Sequence, residues 1–413
     1  MSLSAAGSGR PARPVLALAD DLSGAAETAV ALRSPGRIVL GPAAAPVPPA
    51  PGESLVVDLD SRQLPAAQAA RAVRDATLTA TDGTVLFKKV DSLLRGNLAA
   101  EAAAYAQGAR GVVIATALPP ARRSVRSGVV HLDGVPLHGT SAWRAETRPA
   151  PHSVAAALGD LPTAPVPLPA VRGASGALRE ALHACFAQER HPVCDAETEA
   201  DLDAIAAAAL ELGPGVRLLG TGGLAGAVGR LLGGPGTHSP APVDVVRPLL
   251  IVVGTAEPAA RAQVAHLLAD GAHHIPLTTR ELLRSPQRVA PPVAGVTVVR
   301  ITGAASPTLA RRLVAALAES VADAARDCDL VLTGGETARR VLDVQRVTDL
   351  RPVGQIHHGA VHSRTPDGRS VVTRPGSYGE ADSLRRIVRA LRPAPAGPAS
   401  VRPVPSDPTG VAP

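Results

Sequence analysis

The chain alternates short apolar runs with longer helical stretches that are rich in alanine and leucine. Val15–Ala19 and Leu249–Val253 are apolar runs with the length of buried strands. Residues 198–212, in contrast, repeat their apolar positions with a helical period. This alternation is typical of βα units, so we predict an α/β fold in which largely parallel sheets are flanked by helices.

The pattern divides into two α/β regions. Glycine, proline, serine and histidine cluster within residues 233–248 and interrupt the periodic segments, which indicates a domain boundary. Both termini are rich in small residues and proline, and we predict that they are disordered. The predicted units are two domains over 14–235 and 249–392, a linker over 236–248, and tails over 1–13 and 393–413.

Composition excludes several classes of function. The 413 residues carry a net charge of only +6 and 1% aromatic residues, so neither a nucleic-acid-binding surface nor a nucleic-acid partner is expected. No apolar run approaches the ~20 residues of a membrane span, so no membrane partner is expected. The cysteines, Cys185, Cys194 and Cys328, are odd in number and lack metal-like spacing. We therefore expect a cytoplasmic protein without a disulfide framework.

Two carboxylates follow the first predicted strand. Asp20 and Asp21 end the apolar run, and Ser23-Gly24 then begins a helix. Ligands of open α/β sheets bind beyond the carboxyl ends of the strands, where these side chains are expected to lie. Because side chains alternate along a strand, we expect one carboxylate to act as general base toward a substrate hydroxyl. The other would anchor the turn or cap the helix.

Two further strand ends carry acidic and basic residues. The run 55–60 ends in acids and is followed by Ser61 and Arg62, whose guanidinium suits a substrate carboxylate. Lys88 and Lys89 are the two lysines of the chain, and a lysine kept among so many arginines suggests a need for a compact ammonium group. Three such strand ends predict a small polyhydroxy acid as ligand. The polar loop after the lysines contributes Asp91, Ser92, Arg95, Gly96 and Asn97.

The second half contains three glycine-containing segments of interest: 252–255 ends a predicted strand, 333–337 begins a helix, and 373–379 is a glycine-rich loop. The backbone amides of such segments can cradle nucleotide phosphates. The chain has no Gly-x-Gly-x-x-Gly motif and no Walker lysine, so the familiar dinucleotide-binding and P-loop arrangements are excluded. The candidate phosphate-binding residues are Gly254, Thr255, Gly334, Gly335, Glu336, Thr337, Gly376, Ser377, Tyr378 and Gly379.

A metal site held by the protein is not expected. His358 and His362 are spaced as on one helical face, but Gly359 between them argues against a helix. The sequence places no acidic ligand near them.

Taken together, these motifs resemble the four-carbon acid sugar kinase family, whose members phosphorylate threonate, erythronate or related oxo-tetronates with ATP. The resemblance runs in order through nearly the whole chain. It is carried by Ala-Asp-Asp-Leu-Ser-Gly-Ala at 19–25, Asp-Ser-Arg at 60–62, Lys-Lys-Val-Asp-Ser-Leu-Leu-Arg-Gly-Asn at 88–97, Gly-Gly-Leu-Ala at 222–225, Gly-Gly-Glu-Thr-Ala at 334–338 and Pro-Gly-Ser-Tyr-Gly at 375–379.

The resemblance implies an N-terminal domain that binds the sugar acid and a C-terminal domain that binds ATP, with the active site in the cleft between them. Asp21, or alternatively Asp20, would accept the hydroxyl proton. Mg²⁺ would arrive with ATP, and a homodimer is the expected assembly. The implied substrate-binding residues are Ser61, Arg62, Lys89, Asp91, Ser92, Arg95, Gly96 and Asn97, and ATP would lie against Gly254, Thr255, 334–337 and 376–379.

Three positions depart from the family pattern. Arg374 stands where a lysine is common, Tyr378 where a phenylalanine is common, and Thr255 where a serine is usual. Each keeps the charge, the ring or the hydroxyl, so ATP binding is still expected.

Two other functions match parts of the sequence. Leu55-Val-Val-Asp-Leu-Asp resembles the strand-end nucleophile and acid of haloacid-dehalogenase-type phosphatases, although Arg62 stands where that signature has threonine or valine. The other is a non-catalytic sugar-acid-binding protein that closes its cleft on the ligand. The glycine-rich turns of the second half argue against this alternative.

Overall fold

The structure is a computed structural model that describes residues 13–41, 47–144, 146, 148–233, 247–255, 258–303, 309–376 and 379–392. The predicted C-terminal tail, and nearly all of the predicted N-terminal tail and linker, lie outside these residues. We refer to the described residues up to 233 as the first half and to those from 247 as the second half.

Six of the described strands are buried along their whole length, as expected where a sheet is covered on both faces. In chain order the strands are β1 (Val15–Ala19), β2 (Gly36–Leu40), β3 (Ser54–Asp58), β4 (Val85–Lys89), β5 (Gly111–Ala115), β6 (Arg123–Arg126), β7 (Val129–Leu132), β8 (Val135–Pro136), β9 (Thr163–Val166), β10 (His191–Cys194), β11 (Val216–Gly220), β12 (Leu249–Val253), β13 (His273–Thr278), β14 (Val296–Thr302), β15 (Asp329–Thr333), β16 (Asp349–His357), β17 (Ala360–Arg364) and β18 (Ser370–Arg374).

Helices connect most of the parallel strands and cover the sheet. They are α1 (Leu22–Ala31), α2 (Ala66–Thr77), α3 (Leu98–Ala106), α4 (Val154–Leu158), α5 (Leu168–Val171), α6 (Ser175–Ala187), α7 (Glu199–Glu211), α8 (Gly222–Leu232), α9 (Pro258–Ala269), α10 (Thr279–Arg284), α11 (Ala310–Ser320), α12 (Gly335–Val344) and α13 (Ser383–Leu391). Among these described helices, none has the length and apolar content needed to cross a membrane.

Within the described residues, fifteen strands form one continuous sheet in the order β13-β14-β12-β15-β18-β17-β16-β2-β3-β1-β4-β11-β5-β10-β9. Pairing is parallel except around β16 and β17, where the strands run antiparallel. The halves meet where β16 pairs with β2 through Asp349–Val39 and Leu350–Ile38. The predicted α/β class with largely parallel strands is confirmed, and the sheets of the two halves are joined edge to edge.

The strand ends that carry polar residues lie side by side. In the first half β1 lies between β3 and β4, with Ala19 level with Asp58 and Lys89. In the second half β15 lies between β12 and β18, with Thr333 level with Val253 and Arg374. Because parallel strands end at the same edge of a sheet, each half brings three loops together at its carboxyl edge.

The sequence pattern missed the antiparallel strands β16 to β18. The register of β16 against β17 shifts twice, between Pro352 and Gly354 and between Gln355 and His357. Such irregularities break the alternation of apolar and polar residues that identifies a strand in sequence.

Candidate active site

One cavity of about 280 Å³ lies where the strand ends of the two halves meet. Its wall in the first half comes from α1, the ends of β4 and β6, and the loops after β3 and β4. Its wall in the second half comes from the turns after β12, β15, β16 and β18. The lining residues are Asp21, Ser23, Gly24, Glu27, Arg62, Lys89, Asp91, Ser92, Leu93, Arg95, Arg123, Thr255, Gly334, Gly335, Gly359, Pro375 and Gly376.

Arg62 holds the two neighbouring carboxylates. Its Nε donates to Asp20 Oδ2 and its Nη1 donates to Asp21 Oδ2, each at 2.7 Å. Asp21 also caps α1, because its Oδ1 accepts the Gly24 amide at 2.8 Å. Asp21 lines the cavity, whereas Asp20 is 3% exposed and lies behind it. Asp21 thus both caps α1 and faces the cavity, although the alternation of side chains predicts different residues in these two positions.

The surroundings push the pKa values of the two carboxyls apart. For Asp20, burial alone would raise the pKa, but Arg62 and Lys88 outweigh it and the pKa lies below its usual value. For Asp21, burial and the neighbouring Asp20 charge prevail over Arg62, and the pKa is raised. Asp21 is therefore the more basic carboxylate and the one that faces the cavity, as proton acceptance requires.

Lys89 is the one of the two lysines that lines the cavity. Its side chain is 5% exposed, and its Nζ donates to the Val90 carbonyl at 3.0 Å and lies 3.6 Å from Glu27 Oε2. Burial lowers the pKa of this ammonium group, but Glu27, Asp20 and Asp21 more than compensate, so the pKa is raised. Lys89 can therefore meet an anionic ligand while it is charged.

Lys88 points to the opposite face of β4 and has a different environment. Its Nζ lies 2.8 Å from Glu101 Oε2, and both side chains are almost fully buried. Glu101 Oε1 accepts the Ser61 hydroxyl at 2.5 Å. Ser61, which was predicted to bind substrate, thus lies behind the wall and ties the loop after β3 to α3.

The loop after β4 is organised around Asp91. Arg95 donates Nε and Nη2 to its two carboxylate oxygens, each at 2.8 Å. Burial alone would raise the pKa of Asp91, but Arg95 and Arg62 hold it far below its usual range. Arg123 of β6 donates to the Ser92 hydroxyl across the cavity wall. These side chains present two guanidinium groups and a hydroxyl to the cavity.

Gly96 and Asn97, which were predicted to bind substrate, also support the wall from behind. Gly96 has φ +88°, and a side chain there would lie 3.2 Å from Arg62 Cγ. Asn97 Nδ2 donates to the carbonyls of Ser61 and Leu64 at 2.9 and 2.8 Å. Both residues fix the position of the loop that carries Arg62.

The glycine turns of the second half pack against one another. Gly254 has no room for a side chain, because a Cβ atom there would clash with the Thr337 side chain. A side chain at Gly376 would lie 2.7 Å from Thr255 Oγ1. Thr255 and Gly376 line the cavity, while Gly254 and Thr337 lie beneath it. The turns after β12, β15 and β18 therefore form one surface.

The turn after β15 directly faces the first half. Gly334 adopts φ +101° and precedes α12, which begins at Gly335. A Cβ atom on Gly335 would lie 3.0 Å from both Asp21 Oδ2 and Ser23 Oγ. The two glycines thus bring the amino end of α12, which favours anions, close to the Asp21 carboxylate.

Arg374 is a buried residue of the second half and does not line the cavity. Its Nη1 donates to Gln263 Oε1 at 2.7 Å and to Ser383 Oγ at 3.0 Å. Gln263 Nε2 in turn donates to the Gly379 carbonyl at 3.0 Å. Burial lowers the pKa of Arg374 to about 10. This arginine therefore ties α9 and α13 to the end of the loop after β18.

The remaining predicted phosphate-binding residues are Glu336, Ser377 and Tyr378. Glu336 follows Gly335 on α12, and its carboxylate lies 3.7 Å from the guanidinium of Arg311. Burial raises the pKa of Glu336. Ser377 and Tyr378 lie outside the described residues.

Asp58 and Asp60, on which the phosphatase alternative rests, bind arginines of α12. Arg339 Nη1 lies 2.9 Å from Asp58 Oδ2, and Arg340 pairs with Asp60. Asp58 is fully buried, and burial raises its pKa to about 7 although Arg339 opposes the shift. A nucleophilic aspartate must reach its substrate, so this arrangement does not favour the phosphatase.

Several residues that line the cavity were not predicted from the sequence. Ser23 and Glu27 are four residues apart on α1, so helical periodicity could have placed them on the side of Asp21. Arg123 has no such local signal, because β6 belongs to a separate three-stranded sheet that only tertiary contacts bring to the cavity. Gly359 comes from the turn between β16 and β17.

The two histidines considered as metal ligands do not share a helix. His362 lies in β17, and His358 lies in the turn before it. In the described part of the chain, no three His, Cys, Asp or Glu side chains are arranged to hold a metal ion.

Two family models match the chain, one in each half. The family described as the sugar-binding N-terminal domain matches residues 15–228. The family described as the nucleotide-binding C-terminal domain matches residues 250–384. The first match ends within α8, and the second begins within β12.

Two curated relatives are similar along most of their length. The D-threonate kinase of Cupriavidus necator is 32% identical over an alignment of 416 positions. The alignment covers 91% of this chain and 97% of the relative. The D-threonate kinase of Bordetella bronchiseptica is 31% identical over an alignment of 407 positions. The alignment covers 91% of this chain and 96% of the relative.

Solved structures show the same fold at lower identity. A Salmonella typhimurium LT2 protein superposes with a TM-score of 0.73 at 20% identity, covering 92% of this chain and 99% of its own. A Haemophilus influenzae protein superposes with a TM-score of 0.68 at 18% identity, covering 90% and 98%. The family matches and the curated relatives confirm the resemblance found in the motifs: the chain belongs to the four-carbon acid sugar kinase family and is a phosphotransferase of the sugar-acid kinase class.

Proposed function

We propose that the protein transfers the γ-phosphoryl group of ATP to a hydroxyl of a four-carbon sugar acid, with D-threonate as the first candidate. The observation that carries this proposal is the contact between the halves, in which Gly335 lies against Asp21. A nucleotide whose phosphates lie on the turn after β15 would have its terminal phosphoryl group beside the Asp21 carboxylate, whose pKa is raised by burial. The names of the two curated relatives support the choice of D-threonate.

The first half would bind the acid. Lys89, Arg62, Arg95 and Arg123 line the cavity beside the hydroxyl of Ser92, so cations are available for the substrate carboxylate. Several carboxylates stand among them, and they suit the hydroxyls of a sugar acid as hydrogen-bond acceptors. This mixture favours a short polyhydroxy acid over an apolar substrate.

The second half would hold MgATP as substrate. Thr255, Gly334, Gly335 and Gly376 line the cavity with closely packed turns, and backbone amides in such turns suit phosphate oxygens. Mg²⁺ would come with the nucleotide and offset its charge. We propose that residues 14–235 bind the acid and residues 249–392 bind ATP, with 236–248 as the linker.

In the proposed reaction, the acceptor hydroxyl oxygen attacks the γ-phosphorus. A new O–P bond forms as the bond from this phosphorus to the β,γ-bridging oxygen breaks, and ADP leaves. Asp21 accepts the hydroxyl proton, and its raised pKa favours this step. Arg62 holds Asp21 in position through Nη1. Transfer of this kind requires mainly positioning and neutralisation of charge.

The test is ADP release from MgATP with a panel of acids: D- and L-threonate, D- and L-erythronate, and their oxo-acids. ADP release that depends on one acid, with D-threonate first, would support the proposal and identify the substrate. ADP release with none of them, in protein that binds ATP by calorimetry, would overturn the choice of acid. Absence of ATP binding would overturn the kinase reaction itself.

A further inference from the structure

The hydroxyl of Ser23 is buried without a hydrogen-bond partner. Ser23 is the second residue of α1, and its Oγ finds no donor or acceptor within the described residues. A buried polar group left in this state destabilises the folded protein, because it has lost its hydrogen bonds to water without gaining others. Such a group in a native structure calls for an explanation, and a bound ligand is one.

The surroundings of Ser23 suggest what that ligand group is. Ser23 lines the cavity next to Asp21, and both side chains face the turn after β15. A Cβ atom on Gly335 would lie 3.0 Å from Ser23 Oγ and 3.0 Å from Asp21 Oδ2. The hydroxyl and the carboxylate oxygen therefore both lie close to Gly335 of the second half.

These two oxygens differ in charge. The Asp21 carboxylate suits the proton of the acceptor hydroxyl but repels a phosphoryl group. A serine hydroxyl is a neutral donor that can turn its proton toward a phosphoryl oxygen. Placed beside the carboxylate, it offers a hydrogen bond where negative charge passes from the nucleotide to the acceptor.

We propose that Ser23 is a catalytic residue whose Oγ–H donates a hydrogen bond to a non-bridging oxygen of the phosphoryl group in transit. The inference rests on the proposed phosphoryl transfer. It predicts a contact that is strongest in the transition state, so the loss of Ser23 affects turnover more than the binding of either substrate.

The kinetic test compares Ser23→Ala with a matched serine. Ser34 also has a buried hydroxyl without a partner among the described residues, but it does not belong to the cavity wall. We expect Ser23→Ala to lower kcat about 100-fold with KM values for both substrates within about threefold of wild type. Ser34→Ala should keep wild-type kinetics, and Ser23→Thr, which keeps the hydroxyl, should retain most of the activity.

A binding test does not depend on the identity of the acid. ADP with Mg²⁺ and aluminium fluoride mimics the phosphoryl group in transit, and calorimetry measures its affinity. Ser23→Ala should weaken this complex at least tenfold relative to wild type while it leaves the affinity for ADP alone unchanged. If no acid of the panel releases ADP, the proposed substrate fails, and this comparison still decides the role of Ser23.

Two results would overturn the inference. One is a Ser23→Ala protein with wild-type kcat or wild-type affinity for the fluoroaluminate complex. The other is an equal loss of kcat and of this affinity in Ser34→Ala, which would indicate that the loss in both variants comes from impaired folding.

Discussion

Asp20 and Asp21 are adjacent in the chain but differ in exposure and electrostatics. Both accept hydrogen bonds from Arg62, and Asp21 alone of the two lines the cavity. Arg62, Lys88 and Lys89 stabilise the charged form of Asp20 against the effect of burial, whereas burial and the charge of Asp20 raise the pKa of Asp21. One carboxylate thus serves as a fixed anchor, and the other is suited to take up a proton.

This difference predicts the outcome of two amide substitutions. Asp21→Asn should lower kcat about 100- to 10,000-fold, because the amide cannot accept the proton. Asp20→Asn should lower kcat less, since it leaves the proposed base in place. Steady-state kinetics of both purified variants, checked for folding by circular dichroism, measure this. Near-normal turnover in both, or a larger loss in Asp20→Asn, would contradict the assignment.

Lys88 and Glu101 form an ion pair that is almost fully buried, with side chains 0% and 3% exposed. Lys88→Met should destabilise the protein by about 3–5 kcal/mol, because it leaves the Glu101 carboxylate uncompensated. The double variant Lys88→Met/Glu101→Leu should recover part of this loss. Urea unfolding measures both.

The matched control is the exposed pair of Arg71 and Asp75, whose side chains are 78% and 66% exposed. Arg71→Met should change stability by less than about 0.5 kcal/mol. A Lys88→Met effect no larger than this would show that the buried pair does not support the loop after β3.

At the scale of elements, the site depends on how closely the turn after β15 approaches α1. Gly335 has no side chain, and this allows the first turn of α12 to lie against Asp21 and Ser23. The same helix carries Arg339 and Arg340, which bind Asp58 and Asp60 at the end of β3. Helix α12 therefore connects the proposed phosphate turn to the loop that carries Arg62.

A methyl group at Gly335 tests this approach. Gly335→Ala should lower kcat/KM at least tenfold, because its Cβ would press on the Asp21 carboxylate and the Ser23 hydroxyl. Gly354→Ala is the control in the same half, since a side chain there would meet nothing within 4 Å. Steady-state kinetics with both substrates should give a lower kcat/KM for Gly335→Ala than for Gly354→Ala. Equal activity in the two would mean that the turn is not close to the reacting groups.

At the scale of the whole molecule, several contacts join the halves. They include the pairing of β16 with β2 and the ion pairs between α12 and the end of β3. Helix α1 of the first half also packs against β16, β17 and β18 of the second half. The homodimer expected from the sequence remains a prediction, which the mass measured by light scattering can check.

Global stability should fall as the pH is lowered toward 4. Burial, assisted by Arg364, lowers the pKa of His362 to about 4, so the folded state favours the neutral imidazole. Between pH 6.5 and 4 the unfolded state binds more protons at this residue, and stability is lost as the pH falls. The expected contribution is about 1–3 kcal/mol.

His362→Gln should therefore flatten the dependence of Tm on pH over this range. The exposed His358 provides the control, and His358→Gln should keep the wild-type slope. A wild-type slope in His362→Gln would contradict the prediction.

Strand ends were the part of the site that local patterns could predict. Asp21, Arg62, Lys89 and Arg95 follow short apolar runs, and parallel strands in one sheet must end at the same edge. The alternation of side chains also separates Lys88 from Lys89, although it does not say which of the two faces the cavity. Local patterns failed at β16 to β18, where register shifts interrupt the alternation.

The fold class, the family and the polar strand ends could be predicted from the sequence, because residues close together in the chain carry them. Tertiary packing controls which side chains reach the cavity. It placed Ser61 and Asn97 behind the wall and added Ser23, Glu27 and Arg123. The contact of Gly335 with Asp21 joins residues about 300 positions apart, and no local periodicity encodes such a contact.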